Sequence, residues 1–313
     1  MAGVRAAVLT EYGVPRAGDF DEPVASEGQA VVEVSAAGLN PVDVTISGGR
    51  FYAGKPPLPS VCGREGVGTL DGRRVYFDTP VAPFGSMAER SLIDPVSTYP
   101  VPDEVDDGVA VALGIAGLAA WLSLTWRAAL KPGEHLLVLG ASGVVGQMAV
   151  QAGRILGAGH VVAAARSAPA LERCLALGAD RAVRLGEAED LAAALSEAGD
   201  GRIDVVLDPL FGEPFVAAIQ AASFGARLVQ MGASAGQQAT VPSAPIRGKV
   251  LTIMGHTNFA APPEVKRAAY ARMAAAAAAG ELEVETERIA LERVQDAWAR
   301  LEQGSHRKIL VIP

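Results

Sequence analysis

The stretch HLLVLGASGVVG, His135 to Gly146, decides the fold. Its first half is an unbroken apolar run, the pattern of a parallel strand buried on both faces. Its second half is a glycine-rich turn, followed by apolar periodicity from Val144 to about Leu156 that predicts a helix. A strand that ends in glycines and opens directly into a helix is the context of a dinucleotide fingerprint. Gly143 would let the backbone approach a diphosphate at the positive end of the helix, and Gly146 would let that helix pack closely on the strand. Ala141 replaces the first glycine of the usual spacing, giving ASGVVG. The candidate cofactor loop is Gly140, Ala141, Ser142, Gly143, Val144, Val145 and Gly146.

The same alternation continues outward. HVVAAAR (His160 to Arg166), RAVRL (Arg181 to Leu185), IDVVLD (Ile203 to Asp208), ARLVQMG (Ala226 to Gly232) and VLTIMG (Val250 to Gly255) read as further strands, with helices between them. A doubly wound parallel α/β sheet accounts for all six. The end of its second strand selects the cofactor. Where an NAD site carries Asp or Glu for the ribose hydroxyl, this chain has Ala165, Arg166 and Ser167. A guanidinium and a hydroxyl suit a 2′-phosphate, so the expected cofactor is NADPH.

On either side of this region the texture differs. The first hundred residues are dense in turn signals and contain short β-type runs such as AVVEVSAAG (Ala30 to Gly38) and RVYFD (Arg74 to Asp78), which predict an irregular antiparallel β domain. After His256 come a Pro-started helix ending at Gly280, a short helix and a terminal strand. These have no place in a completed six-stranded sheet, so they are assigned to the N-terminal domain. The expected domains are 1–114 with 256–313, and 115–255.

Composition excludes several functions. Across 313 residues, 27 Lys plus Arg stand against 35 Asp plus Glu, for a net charge of −8. That balance gives no basic face for nucleic acid or an anionic membrane. Cys62 and Cys174 are the only cysteines and form neither a disulfide framework nor a CxxC motif, which suits reduced thiols in a cytoplasmic protein. The charge-free run GVAVALGIAGLAAWLSLTW, Gly108 to Trp126, has nearly the length of a membrane span but is rich in Gly and Ala; a buried helix pair is expected.

AAGLNPVD (Ala36 to Asp43), GREGVG (Gly63 to Gly68), AGLAAWLSL (Ala116 to Leu124), KPGEHLLVLGASGVVG and the terminal KILVIP together resemble the zinc-free quinone oxidoreductase branch of the medium-chain dehydrogenase/reductase superfamily. The resemblance runs over nearly the whole chain. It implies a GroES-like β-barrel catalytic domain interrupted by a Rossmann domain, and a homodimer joined through the edge strand Val250 to Gly255. It implies hydride transfer from NADPH to a small quinone or α,β-unsaturated carbonyl substrate. Zinc-dependent relatives hold their metal at positions matching Asn40, Arg64 and Ile115; none of these is a normal zinc ligand, and Arg64 cannot give up its proton to become one.

The resemblance also places Asn40 and Asp43 beside the nicotinamide, with Thr45, Phe51 and Tyr52 on a loop shaping the substrate pocket. Asn40, Asp43 and Tyr52 are the expected catalytic residues. Met231, Gly232, Ala233, Gly255, His256, Ala119 and Lys308 join the glycine loop, Arg166 and Ser167 as expected cofactor contacts. Tyr52, His256 and Asp43 are the candidate proton donors, with solvent as the alternative. The family often has Thr at Ala119, Lys at Ala170 and Tyr at Leu185, so 2′-phosphate recognition here rests on Arg166. Two other functions fit the same residues: an enoyl-thioester reductase of a biosynthetic pathway, and a crystallin-like NADPH-binding protein without turnover.

Overall fold

The computed structural model describes residues 3–313, which divide into two compact units. One comprises residues up to Ala116 together with Tyr270–Pro313, and the other is Gly117–Ala269. The expected second break at 255/256 is therefore displaced to Ala269. His256 explains the shift: its ring meets Trp126 edge-on at 6.1 Å and its Nε2 lies 3.0 Å from Asn258 Oδ1, tying this segment to the second unit.

The second unit is built on a six-stranded parallel sheet in the order Arg181–Arg184, His160–Ala165, His135–Leu139, Val205–Asp208, Arg227–Gln230, Thr252–Gly255. This is the doubly wound order, with His135–Leu139 at the centre where the winding reverses. All six residues of His160–Ala165 are buried, as are four of five in His135–Leu139. Their continuous apolar runs follow from helices covering both faces. Leu137, Leu139, Val162, Val206, Leu228 and Phe215 form the core on one side of the sheet. Each such side chain contributes about 1.5–3 kcal/mol by leaving water.

The other unit is predominantly β. A seven-stranded sheet runs Thr286–Ala290, Lys308–Ile312, Ala30–Gly38, Glu65–Leu70, Arg73–Asp78, Thr98–Pro100, and Arg90–Ile93 pairs with Ala30–Gly38. The strands nearest the C-terminus thus lie in one sheet with strands from the first hundred residues. Arg16–Asp21, Gly3–Leu9 and Ser60–Val61 make a smaller sheet. The glycines of GREGVG are packing devices here. A Cβ on Gly68 would lie 2.1 Å from the Glu33 carbonyl oxygen, and one on Gly63, at φ +101°, would lie 2.4 Å from Ser86 Oγ.

The apolar run 107–127 is helical, with widened turns at Leu113–Gly117 and Ser123–Arg127, and most of it is buried inside the protein. It is the expected buried pair, Asp107–Ala112 and Leu118–Leu122, joined across a kink where Gly114 takes ψ −115°.

Candidate functional site

The glycine loop emerges from His135–Leu139 at the sheet's carboxyl edge. Gly140 sits at φ +61° beneath Pro209 and Leu210, where any Cβ would come within 3.0 Å of either. Gly143 closes the turn by donating its N–H to the Gly140 carbonyl at 3.1 Å and is the N-cap of the helix Val144–Ile155. A Cβ on Gly146 would stand 2.5 Å from Ala141 Cα, so this glycine is fixed by helix–strand contact. A Cβ on Gly143 would meet nothing nearer than the Gly140 oxygen at 3.7 Å. Gly143 is therefore not required by packing: it leaves a cradle open in front of the first-turn N–H groups, which have no partner inside the helix. The loop fits a dinucleotide diphosphate.

The other expected contacts in this unit lie at the same edge. Arg166 and Ser167 follow the second strand, Met231–Ala233 the fifth, and His256 the sixth. Gly255, the last residue of the sixth strand, has open space where its Cβ would be. Asp208, buried at the end of the fourth strand, accepts the N–H groups of Leu210 and Phe211 at 2.8 and 2.9 Å and so holds the turn that roofs Gly140. Burial pushes its carboxyl up to about 6. Burial pushes the His256 imidazole down, toward the neutral form. Ala119 lies on Leu118–Leu122 and is half-buried. Ala170 and Leu185 are both buried.

In the first unit, sequence reasoning missed the residue that organises the polar site. Glu65 is fully buried and accepts four hydrogen bonds. Its Oε1 accepts from Asn40 Nδ2 at 2.8 Å and Lys308 Nζ at 2.6 Å, and its Oε2 from the Tyr76 hydroxyl at 2.8 Å and the Ile115 N–H at 2.6 Å. Tyr76 lies against Gly114, where a Cβ would come within 2.2 Å of its ring, and the kink at Gly114 precedes the N–H that Ile115 presents to Glu65.

Lys308 also donates to Asn40 Oδ1 at 2.6 Å, and its side chain is 2% exposed. Its expected cofactor contact is corrected accordingly: the ammonium is committed to Glu65 and Asn40, because a buried charge needs a buried partner. Asn40 is held at both ends of its amide. Asp43, at the third position of the short helix Pro41–Ser47, accepts the Asn40 backbone N–H on Oδ2 at 2.8 Å. Its Oδ1 is buried without a hydrogen-bond partner. Burial pushes the Asp43 carboxyl up to about 6, with the Glu65 charge adding to the effect and Asn40 and Lys308 opposing it. Asp43 lines a pocket of about 100 Å³ with Cys62, Arg64 and Phe84.

Tyr52 lies away from this network, 78% exposed, with its ring against Phe51. Cys62 is a packing residue, its thiol pushed far above its ordinary value by burial.

The residues at the three metal positions do not fit a metal ion. Asn40 is occupied by Glu65 and Lys308, Arg64 donates to Thr79 Oγ1 at 3.3 Å, and Ile115 offers only a backbone N–H already given to Glu65. Among the described residues no three His, Cys, Asp or Glu side chains are grouped to hold a metal.

Comparison with known proteins agrees with this architecture. The zinc-binding dehydrogenase family profile matches residues 144–275. The quinone oxidoreductase of Rattus norvegicus is 30% identical over 244 residues, covering 73% of each chain. The quinone oxidoreductase of Thermus thermophilus, solved also in complex with NADPH, superposes with a TM-score of 0.82 at 30% identity over 99% of this chain and 100% of that one. A phenolphthiocerol/phthiocerol polyketide synthase from Mycobacterium tuberculosis is 33% identical over 214 residues, 65% of this chain but 10% of that protein.

Proposed function

This chain belongs to the medium-chain dehydrogenase/reductase superfamily as a quinone oxidoreductase-like oxidoreductase, and from that premise we propose that it uses NADPH to reduce quinones or α,β-unsaturated carbonyl compounds without a metal ion. The observation that carries the reading is the Glu65 network. It binds the Asn40 amide and the Ile115 N–H to one buried carboxylate and balances that carboxylate with the Lys308 ammonium, so two of the three positions matching zinc ligands are committed to a metal-free network.

When bound, the nicotinamide supplies the hydride. The chain's residues do the rest. The N–H groups that follow Gly143 receive the diphosphate, and Arg166 with Ser167 receives the 2′-phosphate. Lys308 and Glu65 hold the Asn40 amide in one orientation. Asp43, with its carboxyl raised to about 6, is the carboxyl group of this network that retains a fraction of its proton near neutral pH and is the proposed proton donor to the reduced product, with solvent as the alternative. The reading includes a homodimer, for which the edge strand Thr252–Gly255, with Ile253 exposed, offers the pairing edge, and a cytoplasmic location.

The match to a polyketide synthase favours one second reading, reduction of an enoyl thioester. Stopped-flow loss of NADPH absorbance with a panel of quinones, enones and enoyl thioesters separates the two. Oxidation by quinones or enones is the expected result; oxidation by thioesters alone replaces the first reading with the second. Stoichiometric zinc in the purified protein overturns the metal-free mechanism. Arg166→Asp should raise the KM for NADPH far more than that for NADH, and an unchanged preference removes the cofactor assignment.

A further inference from the structure

The expected phosphate site rests on Arg166, and its surroundings contain a second guanidinium that the sequence did not single out. Arg184 ends the strand Arg181–Arg184, and parallel pairing places it beside Ala165, the residue before Arg166. Its Nε donates to the Arg166 carbonyl at 3.1 Å, which fixes its guanidinium at the 166–167 turn. The Arg166 side chain forms no hydrogen bond or ion pair among the described residues. Ser167 is the N-cap of the helix Ala168–Ala176, and its hydroxyl makes no capping bond.

We infer that Arg184 is a second cofactor-selecting residue, which with Arg166 and the Ser167 hydroxyl binds the phosphomonoester that distinguishes NADPH from NADH. This rests on the NADPH reading above and adds a residue to it. Leu185 and Ala170, the positions where relatives often carry a polar contact, are buried, whereas the Arg184 side chain is 48% exposed. A planar guanidinium held at its Nε still presents an outer N–H edge to a phosphate, a geometry a lysine does not supply. Glu187 completes the arrangement. Its carboxylate pairs with Arg184 Nη1 at 2.5 Å and is itself 59% exposed. It therefore orients Arg184 while the site is free of ligand, and it opposes an incoming dianion by charge. Arg184 acts for the phosphate and Glu187 against it, so their removal must have opposite effects.

The test is equilibrium binding of NADPH, NADH and adenosine 2′,5′-bisphosphate to the full chain by titration calorimetry, with no turnover involved. The wild type should bind NADPH at least tenfold more tightly than NADH. Arg184→Ala should weaken NADPH and the bisphosphate by about tenfold, as loss of one charge-assisted contact implies, and leave NADH within about twofold. Glu187→Gln should tighten NADPH and the bisphosphate by about two- to threefold, less so as salt is raised. Both side chains are half-exposed, so neither change threatens the fold. If the wild type prefers NADPH and Arg184→Ala retains that preference in full, Arg184 has no such role and only this inference falls. If the wild type shows no preference, the NADPH reading falls and takes this inference with it.

Discussion

Replacing Lys308 by Met isolates the charge that balances Glu65. The two side chains are 2% and 0% exposed and meet at 2.6 Å, and Lys308 also holds Asn40 Oδ1 at 2.6 Å. The methionine fills the alkyl volume but leaves Glu65 with three donors and no countercharge in a place water does not reach. Breaking a buried pair by removing one partner costs about 3–5 kcal/mol, a large share of the roughly 5–15 kcal/mol that holds a domain folded. At about 2–4 °C per kcal/mol for a unit of this size, the melting temperature should fall by about 6–20 °C. Urea denaturation followed by circular dichroism measures the loss as a lower midpoint at constant slope. Adding Glu65→Gln removes the stranded charge, so the double variant should regain more than half the loss. A Lys308→Met cost below about 1 kcal/mol, or strict additivity in the double variant, would refute the view that this pair is what makes the network viable.

Other consequences are as specific. Gly143→Ala places a methyl in open space and should cost under about 1 kcal/mol of stability while weakening dinucleotide binding at least tenfold; Gly146→Ala, facing backbone at 2.5 Å, should destabilise by about 1–3 kcal/mol. Melting curves and cofactor titrations on both variants check the contrast. Asp43 is raised in the folded state from 3.8 to about 6, so between those values the folded chain binds more protons than the unfolded one and stability falls as pH rises through that window. Asp43→Asn should reduce that slope and raise stability at pH 7, by at most about 3 kcal/mol, leaving a comparable contribution from Asp208, whose carboxyl is also raised to about 6; an unchanged profile between pH 4 and 7 refutes it. Tyr52→Phe should keep turnover within about tenfold, equivalent to 1.4 kcal/mol, because the side chain is exposed and apart from the Glu65 network; a larger loss makes Tyr52 catalytic.

The parallel sheet is legible because its signals are local. HLLVLG followed by ASGVVG carries strand, turn and helix within a dozen residues, and each recurrence of the pattern is again a contiguous run. The helix Pro41–Ser47 is easily passed over inside AAGLNPVD, although Asn before Pro, with Asp three residues on, is a helix-start signal. Glu65 is visible as a residue but not as a hub, because its donors lie 11, 25, 50 and 243 positions away. No periodicity records such distances; only the fold of the seven-stranded sheet brings them together. The same holds for Arg184, which becomes a neighbour of Arg166 through strand pairing 18 residues apart. The motif around Lys308 suggests a cofactor contact, and burial gives this lysine a different partner.

The span from Glu65 to Lys308 also sets an order of assembly. A ribosome completes Gly117–Ala269, a contiguous unit with its own core, while the earlier β segments still lack Thr286–Ala290 and Lys308–Ile312. Until Lys308 is made, Glu65 has no countercharge and the strand Ala30–Gly38 has one unpaired edge at Ala37 and Gly38. The nascent chain therefore carries an unfinished first unit together with a finished second one, and its period of greatest exposure to aggregation and proteolysis ends only when the strand Lys308–Ile312 is in place.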